Sequence, residues 1–119
     1  GMGRGNFPYS CAKAAVHQLT KELAVEYARN KIRVNAIMPA QVLTPGLRQL
    51  LEDPRFQANI RARTEAGIPM GRLLYPEEMT GPILFLASEA ASAVTGVLLP
   101  VDGGNLAMNA GGSHTWPQE

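Results

Sequence analysis

The sequence predicts an α/β fold, the second half of a doubly wound parallel sheet, and three observations carry that expectation. The chain opens on a long run with apolar residues three and four apart, the pattern of an amphipathic helix. Two short runs rich in β-branched and apolar residues follow, at 32–37 and 97–101. The stretch between them is far too long for a hairpin and carries helical pattern, so the two strands are expected to be parallel and joined by a right-handed crossover.

The first helix is expected over 6–29, with Ala12, Ala15, Val16, Leu19, Leu23 and Tyr27 on its apolar face and Lys13, His17, Lys21 and Glu22 elsewhere. Asn6 is the candidate N-cap, Pro8 is tolerated in the first turn, and Arg29-Asn30-Lys31 puts cationic and turn-prone residues at the far end. Ile32-Arg33-Val34-Asn35-Ala36-Ile37 then reads as a strand that stops at Met38-Pro39. From 40 to 74 the pattern loosens around Pro45, Gly46, Pro54, Gly67, Pro69 and Gly71, with helices expected near 44–51 and 55–66. This stretch reads as a lid rather than a core.

Pro76-Glu77-Glu78 opens the next helix, with proline at the first position and two carboxylates at the positive end of the dipole. Gly81-Pro82 inside it predicts a kink or a late start, and its apolar face runs through Met79, Ile83, Leu84 and Leu86. In Val97-Leu98-Leu99-Pro100-Val101 the apolar run indicates burial and Pro100 an edge, so an edge strand under helices is expected. The organisation predicted is one partial domain over 1–104, with 40–74 as an insert, and an irregular tail over 105–119.

Composition narrows the function classes. The 119 residues suffice for one domain or a piece of one, and 45% hydrophobic against 18% charged is the balance of a globular chain. Eleven Lys and Arg against ten Asp and Glu leave a net charge of +1 without a basic cluster, which argues against nucleic acid as a partner. The lone Cys11 excludes an intrachain disulfide and a multi-cysteine zinc site, is expected to pack as a small apolar side chain, and suits a cytoplasmic location. The longest nearly uncharged apolar stretch, 79–87, is far short of the ~20 residues of a spanning helix. Gly1-Met2-Gly3-Arg4-Gly5 lacks a signal-peptide core and imitates a dinucleotide loop without a preceding strand, so it reads as a leader.

Tyr9 and Lys13, four apart, rise from one face of the first helix. An ammonium beside a phenol favours the phenolate and brings the phenol toward a pH range where it can exchange a proton in a transition state. The bland alternative is a lysine stem packed on an aromatic ring.

The phrases that follow weigh against the bland alternative. Tyr9-Ser10-Cys11-Ala12-Lys13, Ile32-Arg33-Val34-Asn35-Ala36-Ile37-Met38-Pro39, Ile68-Pro69-Met70-Gly71-Arg72, Pro76-Glu77-Glu78, Phe85-Leu86-Ala87-Ser88 and Val94-Thr95-Gly96 leading to Val101-Asp102-Gly103-Gly104, in this order, resemble the short-chain dehydrogenase/reductase family, in its C-terminal half. The resemblance implies a Rossmann-type fold and hydride transfer between NAD or NADP and a small-molecule carbonyl or alcohol. It makes Tyr9 the general acid/base and Lys13 the residue that binds the nicotinamide ribose and lowers the tyrosine pKa. It brings Pro39 and Ala40 to the nicotinamide ring, the Val42 backbone to the carboxamide, and Thr44 to the carboxamide or a phosphate. It also implies a homodimer or homotetramer.

Two departures stand out. Ala40 occupies a position where the family usually has glycine. The Gly-rich phosphate loop, the residue that selects NAD or NADP, and the catalytic serine belong upstream of the tyrosine in the family and are not among these residues, so the isolated chain is expected to be inactive. His17 and His114 lack ligand-spaced partners and read as solvated, which argues against a metal site. Ser10 reads as a helix-start hydroxyl, and Trp116 as a tail residue without an assigned role. The competing expectation, from a different class, is a noncatalytic oligomerisation module built on exposed apolar helix faces.

Overall fold

The computed structural model describes residues 6–108, apart from the side chains at 60, 61 and 63–65. Residues 1–5, expected to be a leader, and His114, Trp116 and the rest of the expected tail beyond 108 lie outside the described residues. Six elements run in chain order: α1 (Phe7–Tyr27), β1 (Ala36–Pro39), α2 (Pro45–Leu51), α3 (Pro54–Gly67), α4 (Thr80–Ala87) and β2 (Leu98–Val101), with β1 and β2 forming a two-stranded parallel sheet. This is the partial α/β architecture expected, and the chain divides into two compact units, Gly1–Ile37 with Ile83–Leu99, and Met38–Pro82 with Pro100–Glu119.

In the first unit, α1 starts with Pro8 in its opening turn, where a missing N–H costs nothing, while Asn6 makes no side-chain cap bond. The helix tightens into a 3-10 turn at Ala28–Asn30 and ends on Lys31 in the left-handed region, φ 60°. Lys31 N–H donates to the Ala28 carbonyl and Ile32 N–H to that of Tyr27, the paired bonds of a Schellman ending. The packed face of α1 differs from the expected one. Thr20 and Ala24 are buried, Leu23 and His17 are half-buried, and Ala12, Ala15, Val16, Leu19 and Tyr27 are exposed. The reason is close approach: a Cβ on Gly96 would lie 3.3 Å from that of Ala24, so small residues, not large ones, face the chain here. Thr20 is satisfied within its helix, its hydroxyl donating to the Val16 carbonyl. Cys11 is exposed rather than packed, like every residue of the first turns of α1 from Phe7 to Val16.

The first strand begins later than expected and runs through Pro39. Ahead of it, side chains take over from the ladder: Val34 N–H donates to Thr95 Oγ1 at 3.1 Å, and Asn35 clips the opposite loop, donating to the Val94 carbonyl at 2.9 Å and accepting from Val97 N–H at 3.0 Å. Arg33 reaches the end of α4, where orphan carbonyls need donors, and bonds the carbonyls of Leu86 at 2.7 Å, Val94 at 3.2 Å and Ser88 at 3.3 Å. The late start predicted by Gly81-Pro82 is present: Pro76–Met79 forms a 3-10 turn and α4 follows from Thr80. Its sequence is apolar on every side, and Ile83, Leu84 and Phe85 are exposed while Leu86 is half-buried. Strand β2 is half-buried rather than buried, with Pro100 facing out as an edge residue should.

In the second unit, Thr44 caps α2 and Pro54 opens α3, close to the expected bounds. The core sits at the end of the 40–74 stretch. Ile68 is fully buried, and Leu74 pairs in a parallel bridge with Val42. The turn at 102–106 closes over Ile68. Gly103, at φ 61°, passes so near that an added Cβ would stand 2.5 Å from Ile68 Cγ2. The buried Asp102 accepts from Gly104 N–H at 3.0 Å and Leu106 N–H at 2.8 Å, which fixes the turn, and Asn105 bonds the Gly67 carbonyl. Arg72 grips Glu78 with both terminal nitrogens, at 2.9 and 2.7 Å, and lies over the Tyr75 ring, while Tyr75 N–H donates to the same carboxylate. The Arg72 guanidinium and the Tyr75 N–H hold the Glu78 carboxyl down to about 2.

Candidate active site

Each unit carries part of the set expected from the sequence. On α1, Tyr9 and Lys13 share a face, with Lys13 Nζ 5.5 Å from the Tyr9 ring centroid. Both are exposed, and Tyr9 retains 56% of its accessible surface, so the phenol is open to a ligand. Helical spacing alone produces this juxtaposition, and Pro8 at the helix start fixes the backbone that presents it. Ser10 lies in the same opening turn, its N–H donating to the Asn6 carbonyl.

In the second unit, Pro39, Ala40, Val42 and Thr44 follow one another out of β1 into α2. The bridge to Leu74 shapes this loop. Leu74 N–H donates to the Gln41 carbonyl and Leu43 N–H to that of Leu74, so Val42 turns its own N–H and C=O the other way. Its carbonyl takes Thr44 N–H at 2.7 Å, and its N–H has no partner among the described residues. An amide donor left open beside a half-buried side chain suits the carbonyl of a carboxamide. Thr44 Oγ1 accepts from Leu47 N–H at 3.3 Å, which leaves its O–H free to donate. Ala40, where the resembled family has glycine, is not at positive φ, so its Cβ adds no backbone strain.

Sequence reasoning missed Leu74 as the residue that orients Val42. It also missed Arg33 and Asn35 as the ties that hold the approach to β1. The available signal was a charged and an amide side chain inside an otherwise apolar run, at Ile32-Arg33-Val34-Asn35-Ala36-Ile37. His17, expected to be solvated, is half-buried on the packed face of α1 alongside Thr20 and Ala24.

The family profile described as enoyl-(acyl carrier protein) reductase matches residues 1–105. A cis-4-hydroxycyclohexanecarboxylate dehydrogenase of Sinomonas cyclohexanicum is 48% identical over 100 residues, which is 84% of this chain and 38% of that protein. The chain belongs to the short-chain dehydrogenase/reductase family. A second member, galactitol 2-dehydrogenase (L-tagatose-forming) of Cereibacter sphaeroides, is 46% identical over 96 residues, 81% of this chain and 36% of the relative. Among solved structures, one assigned as a 2-deoxy-D-gluconate 3-dehydrogenase from Agrobacterium tumefaciens, with bound NADP, superposes with a TM-score of 0.72 at 42% identity, covering 84% of this chain and 39% of the other. The chain thus spans well under half the length of the short-chain dehydrogenases it matches. Its fold is a partial Rossmann-type α/β fold. No described helix is long and apolar enough to cross a membrane.

Proposed function

We propose that these residues serve a short-chain oxidoreductase that transfers hydride between NAD(P)(H) and a small-molecule alcohol or carbonyl. The observation that carries the reading is the exposed Tyr9–Lys13 pair on one face of α1. Tyr9 gives a proton to the carbonyl oxygen in reduction or takes one from the hydroxyl in oxidation. Lys13 places positive charge beside the phenol and binds the nicotinamide ribose. The Val42 N–H, open among the described residues, donates to the carboxamide oxygen, and the Thr44 hydroxyl donates to the carboxamide or a phosphate. Pro39 and Ala40 form the wall beside the ring. The bound nicotinamide supplies or accepts the hydride.

Alcohols are the substrate class the named relatives support, and a hydroxy acid such as cis-4-hydroxycyclohexanecarboxylate is the first compound to assay. The assay follows NAD(P)H absorbance with the full-length natural protein that contains these residues. Tyr9→Phe is expected to lower kcat by at least ~100-fold while cofactor still binds, as loss of a general acid/base does. Unchanged turnover in that variant sinks the reading. Among the described residues no Gly-rich loop follows a strand, so residues 1–119 alone are expected to give no turnover, for want of phosphate binding.

A second reading, association with further copies of the chain, is favoured by apolar exposure within the first unit: Val16, Leu19 and Val25 on α1, and Ile83, Leu84 and Phe85 on α4. Sedimentation at tens of micromolar decides it, with a purely monomeric species counting against it.

A further inference from the structure

We infer that Arg48 is the residue that selects substrate, by pairing with a carboxylate on the alcohol or carbonyl compound, so that the enzyme is specific for hydroxy or oxo acids. The inference rests on the reading above, in which Val42 and Thr44 mark the reacting end of the cofactor. Arg48 sits on the first turn of α2, its N–H donating to the Thr44 carbonyl at 2.9 Å. Its Nε lies 3.5 Å from the Leu43 carbonyl oxygen, so the side chain folds back along the start of the helix toward the 39–44 loop rather than out along α2.

Charge pairing within the second unit sets Arg48 apart. Of the three arginines there whose side chains are described, Arg55 is held by Asp53 and Arg72 by Glu78, each through paired short bonds. Arg48 has no ion pair among the described residues, and its two terminal nitrogens carry no hydrogen bond there. Glu52, one turn further along and of opposite charge, does not take it up. An exposed guanidinium with its planar fork free, one helical turn from the residue assigned to the carboxamide, is built to grip an oxyanion in two-pronged fashion.

Two oxyanions are within the reading's chemistry, a substrate carboxylate and a coenzyme phosphate. The resemblance gives the phosphates to a Gly-rich loop upstream of Tyr9, and Thr44 already has a free O–H for any phosphate near this loop. The carboxylate is therefore the oxyanion left for Arg48.

The test is equilibrium binding by calorimetry, which needs no turnover, on the full-length natural protein saturated with NADP+ or NAD+. The probes are cis-4-hydroxycyclohexanecarboxylate and its uncharged primary amide. The unaltered protein is expected to bind the acid at least ~10-fold more tightly than the amide, and Arg48→Gln to bring the acid level with the amide. Arg55→Gln, whose cation is already paired, is expected to keep the preference. Equal binding of acid and amide by the unaltered protein overturns the inference, as does a preference that survives Arg48→Gln. Loss of the preference in both arginine variants marks diffuse charge rather than a site and also overturns it. A weakened coenzyme with an unweakened acid assigns Arg48 to phosphate instead. Hydride transfer, followed separately with a neutral alcohol, tests the underlying reading on its own.

Discussion

Arg33 Nη1 donates to the Leu86 carbonyl at 2.7 Å, joining the approach to β1 to the last turn of α4. The same guanidinium also donates to the Val94 carbonyl, which it shares with Asn35 Nδ2, and to the Ser88 carbonyl, which also takes the Ala91 N–H, so one side chain ties together three acceptors at the end of a helix and in the turns that follow. Removing it takes a donor from all three at once. Arg33→Ala is expected to destabilise the fold by about 1–3 kcal/mol, and Arg33→Lys by less, because a point charge keeps part of the bonding. Urea denaturation of both variants reads the difference, and a loss equal in the two would show that the fork geometry is irrelevant.

Gly103 is held by space as well as by backbone angle. At φ 61° with an implied Cβ 2.5 Å from Ile68 Cγ2, any side chain is both strained and in collision with a fully buried residue. Gly103→Ala is expected to cost about 2 kcal/mol or more. Gly71, also at positive φ (70°) but with nothing within 4 Å of an added Cβ, isolates the strain. Gly71→Ala should therefore lose only about 1 kcal/mol, and thermal melts that rank the two the other way would refute the packing account.

Lys31 offers the opposite sign. It occupies the left-handed position of a Schellman ending at φ 60°, where a Cβ is unfavourable and glycine is the usual occupant. Lys31→Gly is expected to stabilise by about 0.5–1 kcal/mol, the relief of the left-handed penalty less the extra freedom that glycine gives the unfolded chain. A higher urea midpoint at unchanged slope is the signature.

The Arg72–Glu78 pair sets an acid limit. Glu78 is held at about 2 against an ordinary 4.5 by the guanidinium and the Tyr75 N–H. A depressed carboxylate contributes stability that is complete above its unfolded value and disappears as pH falls through the folded one. The contribution is therefore expected to fade between pH 4.5 and about 2. Asp53, lowered chiefly by its hydrogen bond with Arg55, acts in the same direction. The comparison is thus the natural protein against Glu78→Gln at each pH, and the gap between their midpoints should close toward pH 2 and shrink in high salt, as expected of an exposed pair.

The sequence disclosed more of the elements than of their packing. Pro45, Pro54 and Pro76 punctuate the chain where helical segments begin, and Gly81-Pro82 correctly forecasts the late start of α4. What periodicity cannot show is which side of an apolar helix finds a partner. Leu19 and Val16 look like core beside Thr20 and Ala24, yet close approach at Gly96 selects the small pair and leaves the large ones exposed. Tyr9 and Lys13 were legible because four residues make one helical turn. The orientation of Val42 was not, since it depends on Leu74, thirty-two positions away in sequence and joined only through a bridge.

Thr44 tests whether a structural role and a ligand role reside in one hydroxyl. Its oxygen accepts the Leu47 N–H as an N-cap, and its hydrogen is free for the carboxamide or a phosphate. Aspartate caps a helix as well as threonine does but has no hydrogen to give and carries a negative charge. Thr44→Asp is therefore expected to leave the melting temperature near that of the natural protein while weakening NAD(P) binding by ~10-fold or more. Thr44→Val, which removes both functions, should lose about 1 kcal/mol of stability along with the affinity. Thr44→Ser should keep both. Fluorescence titration of NADPH and NADH with the full-length natural protein reads the affinities. Full coenzyme affinity in Thr44→Asp would confine Thr44 to capping and remove it from the cofactor set.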